Sequence, residues 1–192
     1  MILGSHNSWS YLPVKQWWLR PFSFIAKCQD VDIKTQYENY DVRCFDLRLR
    51  FDKNKNLYVV HGLIKYQITE EELLYILNYL NSKKDCWIRV IHDVRNKYYY
   101  NDNESFIEKC KELETKFPNI KFWNGEDLLE RKVRYDFKNN PRSYEIHSSV
   151  TKPGFVTPRT YAKWNNVNML TLFKLALHNN SILLIDFVNI NK

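Results

Sequence analysis

Residues Val42 to Gly62 read VRCFDLRLRFDKNKNLYVVHG, two alternating runs joined by a polar link. From Phe45 onward the first run has a period of two, so Asp46, Arg48 and Arg50 share one face of a strand. Three charges on one strand face are ordinarily solvated. Here, however, the second run, Leu57-Tyr58-Val59-Val60, is of the buried type and ends on His61-Gly62. Between the runs, Asp52-Lys53-Asn54-Lys55-Asn56 is a polar turn that folds the two strands back on each other. A carboxylate, a guanidinium and an imidazole are therefore expected close together. That set suits a phosphate ester, which needs one group to neutralise charge and another to move a proton.

The rest of the chain sets limits on this reading. With 192 residues, it is most simply one domain spanning 1–192 and long enough to bury a core. Its four glycines form no phosphate-cradling loop. The net charge of +7 fits solubility alone, or attraction to an anionic surface of phospholipid or nucleic acid. Nucleic acid is set aside because no helix carries a concentrated basic stripe. Cys28, Cys44, Cys86 and Cys110 are widely spaced and mostly sit in apolar patterns, so buried free thiols are expected rather than a disulfide or zinc framework. Neither a signal peptide nor a membrane-length apolar run is visible, so the expected location is cytoplasmic by default with transient membrane contact.

Short apolar strands alternate with helical patterns. Ile2-Leu3-Gly4 is a short strand leading to His6 and Asn7, and Trp9–Phe24 is an aromatic loop or broken helix holding Pro13 and Pro21. Its Trp17, Trp18, Phe22 and Phe24 suit either core or a membrane-touching patch. Helices are expected at Ile33–Tyr40, after the Thr69–Glu72 capping box, after a cap at Asn101 with Glu104, and over Asn168–His178. Strands are expected over Cys86–Val94, Ile120–Trp123, Ser143–Val150 and Ser181–Val188, the last apolar on both faces. Glu126–Glu130 reads as a helical turn. This order predicts an α/β fold with a parallel sheet. His6, His61, Asp93, His147 and Asp186 fall at or near C-terminal strand ends, the face on which a (β/α) barrel builds its site.

Several of these residues also match a known family. Gly4-Ser5-His6-Asn7-Ser8 resembles the motif that opens the catalytic domain of phosphatidylinositol-specific phospholipase C. Arg43–Arg48 resembles its second-strand motif, and Tyr58–Gly62 resembles the strand that supplies its second histidine. The fifteen-residue interval from Asp46 to His61 is similar to that of the bacterial enzymes, with thinner similarity at Ile88–Asp93 and Ile185–Val188. The resemblance implies a distorted, abbreviated (β/α) TIM-type barrel, since the chain is short for eight strands. It implies a phosphodiesterase acting on phosphatidylinositol or a related lipid at a membrane surface. His6 would be general base, His61 general acid, Arg48 the phosphate-stabilising cation and Asp186 the support of His6.

The resemblance further implies no metal requirement, because Arg48 stands where the metal-independent bacterial enzymes carry arginine. Asn7 is the calcium-type residue, and with Asp46 and Asp93 it makes a partial oxygen-ligand set, which Arg48 disfavours. Asn7, Asp46, Asp93, Arg142, Glu145, His147 and Lys152 are the polar candidates for substrate binding. A monomer is expected. The alternative is a lipid- or phosphate-binding module of the same fold that has lost turnover.

Overall fold

The computed structural model describes residues 1–94, 102–124, 134–139, 144–150, 156–175 and 181–191. Its strands are β1 (Ile2–Ser5), β2 (Cys44–Phe51), β3 (Leu57–His61), β4 (Ile64–Lys65), β5 (Trp87–His92), β6 (Lys121–Asn124), β7 (Glu145–Ser149) and β8 (Ser181–Ile185). Its helices are α1 (Ile33–Tyr40), α2 (Glu70–Asn81), α3 (Asn103–Lys116) and α4 (Pro158–Leu175), with a 3-10 segment over Trp17–Ile25.

Strands β7, β8, β1, β2, β5 and β6 lie side by side, and every pairing among them is parallel. Among the described residues no pairing joins β6 to β7, so the curled sheet is an open, abbreviated barrel. The expected hairpin forms on its central strand. Leu49 of β2 pairs with His92 of β5 on one side and with Val59 of β3, antiparallel, on the other. On its β2 side, strand β1 pairs with Cys44 and Phe45 alone, leaving the far half of that β2 edge for β3. Because β3 runs antiparallel, its last residue, His61, comes back towards the middle of β2.

The two faces of the sheet carry different cores. On the helix side, Phe45, Leu47, Ile88, Val90, Phe122 and Leu183 pack against Ile33, Leu73, Leu77, Leu80, Phe106 and Leu113. Each fully buried leucine or phenylalanine there contributes roughly 1.5–3 kcal/mol. On the concave side, Cys44, Trp87, Trp123, Ile182 and Leu184 fill the barrel floor. Above that floor the alternation of β2 delivers Asp46, Arg48 and Arg50, all buried.

The floor is tight at Gly4. A Cβ there would lie 2.5 Å from Leu184 Cδ2 and 3.1 Å from Cys44 Cβ. Gly4→Ala is therefore expected to cost about 1–3 kcal/mol of stability by urea unfolding. An unchanged midpoint would mean that Leu184 swings aside freely.

Helix α2 begins at the capping box read from the sequence, with Thr69 and Glu72 bonded reciprocally. Helix α3 is capped by Asp102, not Asn101: Asp102 accepts from Ser105 N at 2.9 Å. Helix α4 begins at Pro158 rather than Asn168. Proline breaks helix interiors but suits the first turn, where its missing N–H has no partner to lose. Thr157 Oγ1 takes the N–H of Thr160 at 3.3 Å and completes that start. The helical turn expected at Glu126–Glu130 lies outside the described residues. No helix among the described residues is long and apolar enough to cross a membrane.

Candidate functional site

The first strand ends in a locked turn. His6 N donates to Ile185 O at 2.9 Å, and Gln29 Nε2 donates to both His6 O (3.1 Å) and Ile185 O (3.0 Å). Asn7 takes the left-handed conformation with φ 44°, which asparagine tolerates better than most residues. Its N–H then points at Asp46 Oδ2, 2.9 Å away. Its side-chain amide turns instead to the Tyr66 hydroxyl, donating at 3.0 Å.

His6 is held at both ring nitrogens. Nδ1 lies 2.7 Å from Asp186 Oδ1, and Nε2 lies 2.7 Å from Arg48 Nη2. A guanidinium has only donors, so Nε2 accepts and the ring proton sits on Nδ1, donating to Asp186. This tautomer leaves the basic lone pair on Nε2, where Arg48 donates to it. Asp186 follows β8 and is fully buried, and its backbone carbonyl accepts from Asn166 Nδ2 at 2.6 Å. The carboxylate thus sets the orientation and the tautomer of the imidazole.

Beneath His6 lies a buried charge network. Arg48 Nε donates to Asp46 Oδ2 at 3.0 Å, and Arg48 Nη1 is 3.6 Å from Asp93 Oδ2. Arg89 approaches the other Asp46 oxygen at 3.8 Å and stands over the Trp123 ring. Burial alone would push the Asp46 carboxyl up, but Arg48, then Arg89 and His6, hold it well below the usual carboxylate range. Burial likewise disfavours the Arg48 cation, and Asp46 with Asp93 more than offsets that. Arg48 is therefore a fixed positive charge at the centre of this network.

His61 faces His6 across this network, with ring centroids 5.8 Å apart and planes nearly perpendicular. Its Nδ1 donates to Ala26 O at 3.0 Å, which places a ring proton on that nitrogen. Arg50 fixes the turn that carries it. Arg50 donates to Asp93 O at 2.9 and 3.0 Å and also to Gly62 O, while Gly62 N donates to Asp93 Oδ2 at 3.0 Å. Gly62 sits at φ 57°, which glycine takes without strain.

His6, Asn7, Arg48, Asp46, His61, Asp93 and Asp186 are thus brought together. Glu145 and His147 are not. In the β7–β8 register Glu145 pairs with Ser181, at the strand's opening end, and His147 pairs with Leu183 in mid-strand rather than near its C-terminal end. Leu183 belongs to the helix-side core, and register partners share a face, so Glu145 and His147 lie on that side of the sheet. Their polar groups meet each other at 3.4 Å. Arg142 and Lys152 lie outside the described residues. His92 also faces away from the site, stacked on Phe106 with centroids 4.5 Å apart.

Asn7, Asp46 and Asp93 do not fit a calcium site. Both carboxylates already engage Arg48, at 3.0 and 3.6 Å, and a fixed guanidinium beside them repels a calcium ion.

Three contributors escaped the sequence reading as site residues. Arg50 carries the right parity, but its partners are backbone carbonyls that no pattern shows. Arg89 is a charge inside an apolar strand, the same signal that marked Asp186. Cys28 adjoins Asp186 because its carbonyl accepts from Phe187 N at 2.6 Å, a tertiary contact without sequence trace.

No protein-family profile matches the sequence, and no curated protein matches it by sequence. Solved structures do match. The phosphatidylinositol-specific phospholipase C of Listeria monocytogenes superposes with a TM-score of 0.72 at 16% identity, over 99% of this chain and 89% of that one. A variant of the Staphylococcus aureus enzyme gives 0.69 at 17% identity, over 97% and 84%. Another Staphylococcus aureus structure, concerned with modulation of that enzyme's membrane binding, gives 0.69 at 17%, over 97% and 85%. With its open parallel barrel and its cluster at the C-terminal strand ends, this chain has the fold of the bacterial phosphatidylinositol-specific phospholipases C.

Proposed function

We propose that this chain cleaves a lipid phosphodiester, phosphatidylinositol or a close relative, by histidine general acid–base catalysis without a metal. The observation that carries the reading is the His6 clamp: Asp186 at Nδ1, Arg48 at Nε2, and His61 opposite. His6 Nε2 takes the proton of the attacking inositol hydroxyl as its oxygen bonds to phosphorus. His61, entering the step as the imidazolium with its Nδ1–H on Ala26 O, gives its Nε2 proton to the departing glycerol oxygen as that P–O bond breaks. The products are a cyclic inositol phosphate and a diacylglycerol. Arg48 turns from His6 to the phosphoryl oxygens, where charge grows in the transition state. Its charge takes the place that a metal ion fills in other phosphoryl-transfer sites.

The 3-10 segment supports a lipid substrate. Trp17 and Trp18 are 73% and 57% exposed, and Phe22, Phe24 and Ile25 are exposed beside them. The next residue, Ala26, is the one whose carbonyl holds His61. An apolar, aromatic surface thus adjoins the catalytic cluster directly, as insertion into the headgroup region of a phospholipid bilayer requires. The Trp17→Ala/Trp18→Ala chain is expected to bind phosphatidylinositol-containing vesicles on the order of 10-fold or more weaker per tryptophan. Sedimentation with vesicles checks this, and unchanged partition would assign the patch elsewhere.

Incubation with phosphatidylinositol vesicles in EDTA, followed by phosphorus NMR, tests the reaction. A cyclic phosphodiester signal is expected. Product only on adding calcium would overturn the metal-free reading. Vesicle binding without product under either condition would favour a binding module that has lost turnover.

A further inference from the structure

Behind His6, on the side away from Arg48, Cys28 joins His6 and Asp186 in a cluster, and the proposed chemistry makes no use of its thiol. The ligand atoms of His6, Cys28 and Asp186 all lie within 4.8 Å of one another, and it is the single group of this kind among the described residues. Cys28 is 1% exposed and Asp186 0%. The thiol is held there from several directions. Cys28 N donates to Ser10 Oγ at 3.0 Å, its carbonyl accepts from Phe187 N at 2.6 Å, and Sγ lies 4.0 Å from Asn7 Nδ2. The other three cysteines sit in apolar clusters with no comparable group of donors.

We infer that His6, Cys28 and Asp186 form an inhibitory binding site for a thiophilic divalent metal ion of the zinc class. One imidazole, one thiolate and one carboxylate are a usual zinc donor set, leaving a fourth position for water or a phosphate oxygen. Zinc bonds of about 2.0–2.3 Å at tetrahedral angles place ligand atoms about 3.3–3.8 Å apart, so modest side-chain adjustment closes the trio. The charges match. Once the thiol proton leaves for solvent, Cys28 and Asp186 supply two negative charges to the dication. The proton on His6 Nδ1 moves to Nε2, which breaks the bond from Arg48, so the guanidinium stays on Asp46 and Asp93. The bound form therefore has no basic lone pair on His6 Nε2. Metal occupancy and acid–base turnover exclude each other.

Binding is tested without any substrate, so failure of the turnover assay does not affect it. The EDTA-treated, chelator-free chain is titrated with cobalt(II). The expected result is the intense visible spectrum of a tetrahedral centre with a sulfur-to-cobalt charge-transfer band, saturating at one equivalent and displaced by zinc. Cys28→Ser is expected to lose the band and bind at least about 100-fold more weakly, while Cys110→Ser keeps it. X-ray absorption of the zinc-loaded unmodified chain needs no variant, and one sulfur at about 2.3 Å is expected. Absence of the charge-transfer band, its survival in Cys28→Ser, or a zinc shell without sulfur would each overturn the site.

Discussion

The His6→Ala chain is expected to release cyclic inositol phosphate at least about 1,000-fold more slowly than the unaltered chain, with its fold retained. The loss is large because in the proposed reaction His6 is the base and no neighbour replaces it. His61 points its Nδ1 at Ala26 and in the proposed reaction serves the leaving group. Asp46 is paired to Arg48 and has its carboxyl held low, which makes it a poor base near neutrality. Removing the ring leaves the buried Asp186 carboxylate without that partner, at a cost of about 1–3 kcal/mol. Activity must therefore be read beside a thermal melt and far-ultraviolet circular dichroism. Asp186→Asn supplies the second arm. Its amide would donate to Nδ1 and move the ring proton to Nε2, where Arg48 stands. A comparable loss in kcat with a near-native melt is expected. Full turnover in the His6→Ala chain, or loss of the native spectrum, would make His6 a structural residue.

What was legible in advance followed from periodicity and from strand ends. The β2–β3 hairpin was readable because period-two alternation fixes which side chains share a face, and a polar turn fixes the reversal. His6, His61, Asp93 and Asp186 were readable because each follows or closes an apolar run. Parity within a weak strand was not. Strand β7 has polar residues at Glu145, His147, Ser148 and Ser149, so no apolar alternation states which set faces the barrel, and a one-residue shift exchanges the faces. Only its pairing with β8 decides, and that places His147 beside Leu183. The start of α4 at Pro158 is not legible because proline is compatible with a helix at its first turn and incompatible later, and the sequence alone does not rank the two. The contacts of Arg50, Arg89 and Cys28 depend on sheet register and loop packing between residues far apart in the chain.

Asp46→Ala is expected to destabilise the chain by about 3–5 kcal/mol at neutral pH, the largest stability loss of any substitution in the cluster. The carboxylate is 1% exposed and is shared: Arg48 Nε and Asn7 N bond one oxygen, and Arg89 approaches the other. Truncation leaves two buried guanidinium groups with less counter-charge and one buried N–H without its acceptor. Asp93 still faces Arg48, at 3.6 Å, but accepts from Gly62 N as well. The sign of the pH dependence follows from the lowered Asp46 carboxyl. Burial opposes the lowering, and Arg48, Arg89, His6 and the Asn7 N–H outweigh it. A group depressed in the folded state contributes fully above its unfolded value of about 3.9, and the contribution is lost as pH falls from there through the folded value. The gap between the unaltered chain and Asp46→Ala in urea unfolding should therefore be constant from pH 7 to about pH 5 and narrow below about pH 4. A gap that stays the same into strong acid would mean the aspartate acts by shape and hydrogen bonding, and that Arg48 does not need its charge.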